Sequence, residues 1–580
     1  MISNGIDNPI TVEAEQSTTP QSSVTQRPQR ERIVPRRFAD SDVYSDDQIG
    51  DEGELIHMVL LAGMEPISED EALAQPIWRN AMQEELRSIE KNETWTLVDP
   101  PANKHCIGVK WVFKTKLNPD GSVSKHKARL VAKGFLQQKG VDFSEVFAPV
   151  ARIETIRLVI AVACAMKWPL FQLDVKSAFL HGSLDEEVYV QQPPGFTVKG
   201  KEHQVFRLRK ALYGLKQALR AWNKRIDSFF SRLKFIKCTV EHGVYVKGGM
   251  GEDMIIICLY VDDLLVTGSN LKEINEFKQI MEAEFEMTDL GKLSYFLGME
   301  FAYTTKGLVM HQKKYAGELL RKFNMVNCNA AASPIEVNLK LTSDEDGEIV
   351  DETLFKQIIG SLRYICNSRP DLSFCVGLIS RFMGKPRKTH MMAVKRILRY
   401  VQGTTDYGVM FPIGRLKSEL ELIGYTDSDY CGDLVERKST SGYLFLLNDA
   451  PISWCSKKQS VVALSSCEAE YVAGSFAACQ GVWIEELLRE LKIVMKTPLQ
   501  LKIDNVSAIN LSKNPVSHGR SKHIEVRYHF LRDLVNKERV ILQYCNTEVQ
   551  LADFLTKALK VDRFEALKKK AGIVSLRDLT

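Results

Sequence analysis

The sequence predicts a chain of several domains, α+β in its first half and α/β in its second, and three observations carry that prediction. The first is the run 255–268, where Asp262 and Asp263 interrupt short flanks rich in Ile, Val and Leu. Such flanks suit two strands better than one helix. Neighbouring strand side chains point to opposite faces, so only a turn brings two acids toward one site. The second is an apolar strand over 168–180 that carries Asp174. The third lies beyond residue 418, where strands closing on acids alternate with helices, the pattern of an α/β layer with ligands at strand ends.

Composition sets the bounds. The chain has 580 residues, 44% hydrophobic and 26% charged, with a net charge of +4, which suits a soluble globular protein of several domains. So small a net charge neither demands nor excludes nucleic acid. The 12 cysteines include no C-x-x-C, which argues against structural zinc. Several, such as Cys164 and Cys479, read as free thiols of a reducing compartment. With no secretory signal and no membrane-spanning run, the expected location is the cytoplasm, with access to the nucleus.

Residues 1–72 read as a disordered tail and linker, because 1–53 are too polar to bury a core. Order is expected from Pro76, with Trp78, Met82, Leu86 and Ile89 on one helical face. A strand over 94–98 follows. Then two strands, 108–116 and 125–134, flank a Pro119-Asp120-Gly121 turn. Lys114, Lys116, Arg129 and Lys133 line this ribbon, as a triphosphate, a nucleic-acid backbone or a salt-bridged solvent face would allow. An apolar helix over 153–166 leads to the strand of Asp174. A carboxylate there is costly unless paired or metal-bound. With Asp262 and Asp263 it makes three acids, a set that suits hard cations such as Mg²⁺. Three carboxylates and two ions are the minimum for in-line phosphoryl transfer, one ion for each of the attacking and leaving oxygens.

Five motifs, in order, carry a resemblance: 127–135 (KARLVAKGF), 173–180 (LDVKSAFL), 192–196 (QPPGF), 212–217 (LYGLKQ) and 260–263 (YVDD). Residues 92–340 resemble the reverse transcriptase of Ty1/copia-type LTR retrotransposons. The resemblance implies a right-hand polymerase of fingers, palm and thumb over 73–340, with Asp174, Asp262 and Asp263 as its metal-binding triad. It implies that Arg129 and a lysine, Lys114 or Lys116, neutralise a dNTP, with Lys133 and Tyr260 beside the substrate. Gln217 would sit against the nucleotide. Phe179 would collide with a ribose 2′-OH, the group that distinguishes the two sugars. Leu219 stands where the family usually has proline.

Helices are expected over 271–287 and 312–323, and residues 341–417 read as a helical connection. Its cations Arg381, Lys385, Arg387, Lys388, Lys395, Arg396 and Arg399 suit either a duplex backbone or solvent. The second module spans 418–560, and 561–580 read as a C-terminal tail. Strands over 420–429, 441–447, 452–455, 499–505 and 539–544 and helices from 464 and 551 bring Asp427, Glu470, Asp504 and Asp553 to element ends. These acids, with the runs 465–471 (SSCEAEY) and 522–529 (KHIEVRYH), resemble the D-E-D-D set of copia-type RNase H. Spacing prefers Glu470 to Glu468, and His523 would assist product release or proton transfer. The resemblance therefore implies an RNA-directed DNA polymerase joined to a ribonuclease H. Each site would use two Mg²⁺ or Mn²⁺ ions, on an RNA template, a DNA primer, dNTPs and the RNA–DNA hybrid, with no membrane involved. No zinc-knuckle array, protease triplet or integrase core accompanies them, so the chain reads as the C-terminal part of a Pol polyprotein. A catalytically silent remnant that at most binds nucleic acid is the competing expectation.

Overall fold

The computed structural model describes residues 65–66, 68–102, 104–117, 123–249, 253–342, 347–414, 419–513 and 526–579. Most of the expected tail and linker lies outside them, but its end does not: Glu69–Ala74 is a helix capped by the Ser68 side chain, with Ala72 buried, so order begins before Pro76. Helix Pro76–Lys91 opens on proline, a residue preorganised for a first turn, and buries Trp78, Ala81, Met82, Glu85 and Ile89. It packs on a ribbon of Val109–Leu117 paired with Val123–Ala132. Trp111, Phe113, Ala128 and Leu130 form the ribbon's buried face.

The expected palm is a six-stranded sheet in the order Met287–Lys292, Leu170–Val175, Asp263–Gly268, Ile255–Tyr260, Val244–Lys247, Ile236–Lys237. Every residue of Ile255–Tyr260 is buried because both faces are covered. Ile255, Ile257 and Leu259 meet helices Ala218–Arg232 and Leu271–Glu284 through Trp222, Phe230 and Phe277. Ile256 and Cys258 join the opposite core with helix Ile153–Met166. The period of two thus explains an uninterrupted apolar strand.

A third sheet runs Tyr295–Phe296, Met299–Tyr303, Gly307–His311, Tyr407–Pro412, Ile573–Ser575. Two expectations change here. The stretch 341–417 is not only helical, since it supplies Tyr407–Pro412 to a sheet begun within 73–340. Residues 561–579 are not a tail: helix Val561–Lys570 and strand Ile573–Ser575 pack onto that sheet, burying Phe564, Leu567 and Ile573. The lysines between these apolar positions disguise a core-facing stripe. The connection's helices are Glu352–Ile365, Ser373–Ile379 and Lys388–Gly403, separated by segments that contain Pro370 and Pro386. Of the seven cations named above, five are bonded to other parts of the chain: Arg381 to Asp433, Arg387 to the Gly347 carbonyl, Lys388 to Glu348, Arg396 to Glu336 and Arg399 to the Asn329 carbonyl.

The second module is a five-stranded sheet in the order Ala450–Lys458, Thr440–Leu447, Leu422–Ser428, Leu499–Ile503, Val540–Tyr544. The first three strands are antiparallel, and the last two run parallel to Leu422–Ser428. Asn448 and Asp449 turn its hairpin with φ of 48° and 67°, the left-handed pair that a two-residue loop favours. Helix Ser466–Glu490 packs on the sheet, and Leu551–Leu555, expected to open an α-helix, is a short 3₁₀ turn. Arg157 pins the halves together: it is 2% exposed, donates to the carbonyls of Ile452 (2.7 Å) and Asn367 (3.0 Å) and lies 3.8 Å from the Trp454 ring centroid.

Candidate active sites

Strand register builds the first site. Asp263 pairs directly with Asp174, so both carboxylates leave the sheet on one face. Asp262 belongs to the two-residue loop Val261–Asp262 that joins Tyr260 to Asp263. Val261 has φ 55°, where a β-branched residue costs about 1–3 kcal/mol. Two hydrogen bonds hold the strained loop. The buried Trp222 indole donates to the Val261 carbonyl at 2.6 Å, and the Val175 amide donates to the Asp262 carbonyl at 2.9 Å. All three acids are half-buried.

Around them the expected substrate residues divide. Phe179 is half-buried in the 3₁₀ turn Ala178–His181 just after the strand of Asp174, edge-on to Tyr213 at 4.9 Å. Arg129 lies over the same Tyr213 ring at 4.9 Å and is paired with Glu85 at 3.1 Å. Burial pushes the Glu85 carboxyl up despite that partner, and pushes the Tyr213 phenol up to about 12. Lys114 is exposed on the ribbon, Lys116 follows it opposite Lys125, and Tyr260 is buried at the strand end. Lys133 folds over Gly108. Gln217 is tied to its own surroundings. It is 2% exposed, accepts from Gln137 Nε2 at 3.0 Å and donates to the Asp142 carbonyl at 2.8 Å. Both ends of its carboxamide are thus bonded to the loop 137–142. Gly214 is required nearby, because at φ +85° an added Cβ would meet the Ala132 carbonyl oxygen at 2.3 Å.

The second site is tighter. Among the described residues, Asp427, Glu470 and Asp504 form the group of acids whose ligand oxygens lie within 4.8 Å of one another. Asp427 comes from the central strand, Glu470 from the first turns of helix Ser466–Glu490, and Asp504 follows strand Leu499–Ile503. Glu470 Oε1 accepts from the Ser428 amide at 3.2 Å, while its buried Oε2 has no protein partner. Burial, then Asp427 and Asp504, push its carboxyl far above the usual range, and burial and Asp427 raise Asp504 as well. An orphaned oxygen among three converging carboxylates fits a divalent cation. Glu468 instead accepts from the Leu464 amide at 2.8 Å.

Asp553 is fully buried but held differently. Lys557 Nζ lies 3.0 Å from its Oδ1 and 3.3 Å from Asp427 Oδ1, and Arg563 binds its Oδ2. Burial opposes the Lys557 charge, but Asp427 and Asp553 outweigh it and hold the ammonium above its usual range. His523 lies outside the described residues. Sequence reasoning missed Glu85, Trp222 and Lys557. Glu85 alone left a signal, as a charge on the apolar face of its helix.

Residues 92–337 match the family model described as reverse transcriptase (RNA-dependent DNA polymerase). A retrovirus-related Pol polyprotein from transposon TNT 1-94 of Nicotiana tabacum is 40% identical over 95% of this chain and 41% of its own length. That from transposon RE2 of Arabidopsis thaliana is 39% identical over 89% of this chain and 35% of its own. A transposon Ty5-1 protein of Saccharomyces cerevisiae is 33% identical over 52% of this chain and 98% of its own. The chain belongs to the Ty1/copia-type retrotransposon Pol family. It spans well under half the length of the two plant polyproteins. No helix among the described residues is long and apolar enough to cross a membrane.

Proposed function

We propose that the chain is an RNA-directed DNA polymerase with an attached ribonuclease H. The observation that carries the polymerase reading is the register of Asp174 against Asp263 beside the Val261–Asp262 loop, inside the residues that match the reverse transcriptase model. Asp174, Asp262 and Asp263 would hold Mg²⁺ or Mn²⁺, and Asp427, Glu470 and Asp504 would do so in the second module. A bound cation supplies charge neutralisation at a phosphoryl group. The chain's own residues orient the reactants. Arg129, released from Glu85, and Lys114 meet the triphosphate of a dNTP. Phe179 excludes a ribose 2′-OH, and Trp222 fixes the loop that aims Asp262. In the second module Asp427, Glu470 and Asp504 converge where the RNA strand of a hybrid would lie. The test is primer extension on an RNA template beside cleavage of a labelled RNA–DNA hybrid, both with Mg²⁺. D262N is expected to abolish extension and spare cleavage, and D504N to do the reverse. An unaltered chain that does neither in Mg²⁺ or Mn²⁺ supports the silent-remnant reading instead.

A further inference from the structure

The second module is an insert. Strand Tyr407–Pro412 precedes it, strand Ile573–Ser575 follows it, and the two pair side by side in one sheet, so both of its ends are anchored to the first half. Domains of one chain move relative to one another unless their interface is large and apolar. Here it is apolar. Helix Ile153–Met166 is buried from Thr155 to Ala165 and packs on the hairpin Thr440–Leu447 and Ala450–Lys458, and one continuous core holds its Ile156 and Val159 together with Leu444 and Ile452. Two polar fasteners, on different elements of the module, close this interface. In the first, the Arg157 guanidinium donates to the Ile452 and Asn367 carbonyls at 2.7 and 3.0 Å, under the ring of Trp454, whose indole donates to the Cys366 carbonyl at 3.1 Å. In the second, Glu490, the last residue of helix Ser466–Glu490, accepts from the amides of Thr239 and Val240 at 2.7 and 3.2 Å, and Lys492 Nζ donates to the Gly248 carbonyl at 2.6 Å. Burial raises the Glu490 carboxyl, but the bonds from Thr239 and Val240 outweigh it and hold the group below its usual range.

We propose that Arg157 and Glu490 are positioning residues that lock the second module to the first half, so that an RNA template is cut at one set distance behind a primer terminus held at Asp174, Asp262 and Asp263. This rests on the polymerase and nuclease readings above. A single fastener would leave a pivot, whereas two on separate elements remove it. Arginine suits the first joint because its planar fork fixes two directions at once, here toward the second module through Ile452 and toward the connection through Asn367. A buried guanidinium also resists opening, since a module that swung away would strand its charge without the carbonyls. Both side chains bond to main chain or to Thr239 and to neither acidic cluster, so they act through placement of the modules and not on the reacting groups.

The test maps where the template is cut rather than how fast. A labelled RNA template is annealed to a DNA primer, and the first cuts made by the full chain are placed relative to the primer terminus. The unaltered chain is expected to give one dominant position. R157M and E490A are expected to spread the cuts over several positions, while extension, and cleavage of a hybrid that has no recessed primer end, stay within about twofold. Scattered cuts from the unaltered chain would overturn the proposal, and so would an unchanged pattern in the variants. If R157M does not fold, E490A at its half-buried site decides alone. A second readout needs no activity: spin labels carried on unnatural amino acids at the exposed positions Leu271 and Val506 report the distance between the halves by pulsed electron paramagnetic resonance. A narrow distribution that broadens in E490A is expected, and one that does not broaden refutes the lock. A chain that shows the broadening but cuts no RNA would sink the nuclease reading and leave the lock standing.

Discussion

The two acidic clusters solve the same problem, gathering carboxylates, in opposite ways. The first uses strand register and a strained two-residue loop, and leaves Asp174, Asp262 and Asp263 half-buried. The second buries Asp427, Glu470 and Asp553 and compensates them with Thr556, Lys557 and Arg563. An open cluster draws its counter-charge from outside, whereas a buried one must carry part of it within the fold. Placement of the first set depends on backbone geometry, and placement of the second on neighbouring side chains.

The sharpest break in this comparison is E470Q, which removes charge from the buried set. It is expected to lower hybrid cleavage on the order of a thousandfold while extension stays within about twofold. E468Q, whose carboxylate faces the Leu464 amide, is expected to retain most cleavage. Equal losses in the two variants would show that Glu470 is not the ligand. Next comes F179A at the open site. Ribonucleotide incorporation relative to dNTP is expected to rise about tenfold to a hundredfold, and unchanged sugar selectivity would remove Phe179 from the pocket. W222F deletes the hydrogen bond to the Val261 carbonyl while keeping an aromatic ring. The loss is worth about 1 kcal/mol, so extension should fall about fivefold with cleavage untouched. A change in cleavage instead would mean that Trp222 acts through global stability.

The smallest effect is on stability. Burial raises Asp429, next to the second cluster, to about 6. The folded chain then holds a proton that the unfolded chain releases near the ordinary carboxylate pKa, so this residue costs stability as pH rises from about 4 through 6. In chelator, D429N should melt above the parent by on the order of a few °C at neutral pH, with the gap closing toward pH 4. A gap that does not change with pH would refute the raised carboxyl.

Much of the fold was legible because its periods are clean. The hairpin of Asp262 and Asp263, helix Ile153–Met166 and the strand pair around Asn448 all lie where apolar spacing puts them. Asp174, Asp427 and Asp504 were conspicuous too, as carboxylates toward the ends of apolar strands. Their partners were not. Trp222 reads as one more core aromatic, and Lys557 as a helix-end cation, until the fold brings each beside a residue distant in sequence. The bonds of Gln217 to Gln137 and Asp142 were illegible for a related reason: a motif names a residue without saying which of its neighbours will take its hydrogen bonds.

The sheet shared by Gly307–His311, Tyr407–Pro412 and Ile573–Ser575 has a consequence for biosynthesis. Its last strand is translated only after the whole α/β module that lies between. A ribosome that stopped within that module would release the first half of the chain with the Tyr407–Pro412 edge unpaired, ready to recruit another chain. Cutting the gene between the two modules would therefore yield a sticky fragment rather than a self-sufficient first module.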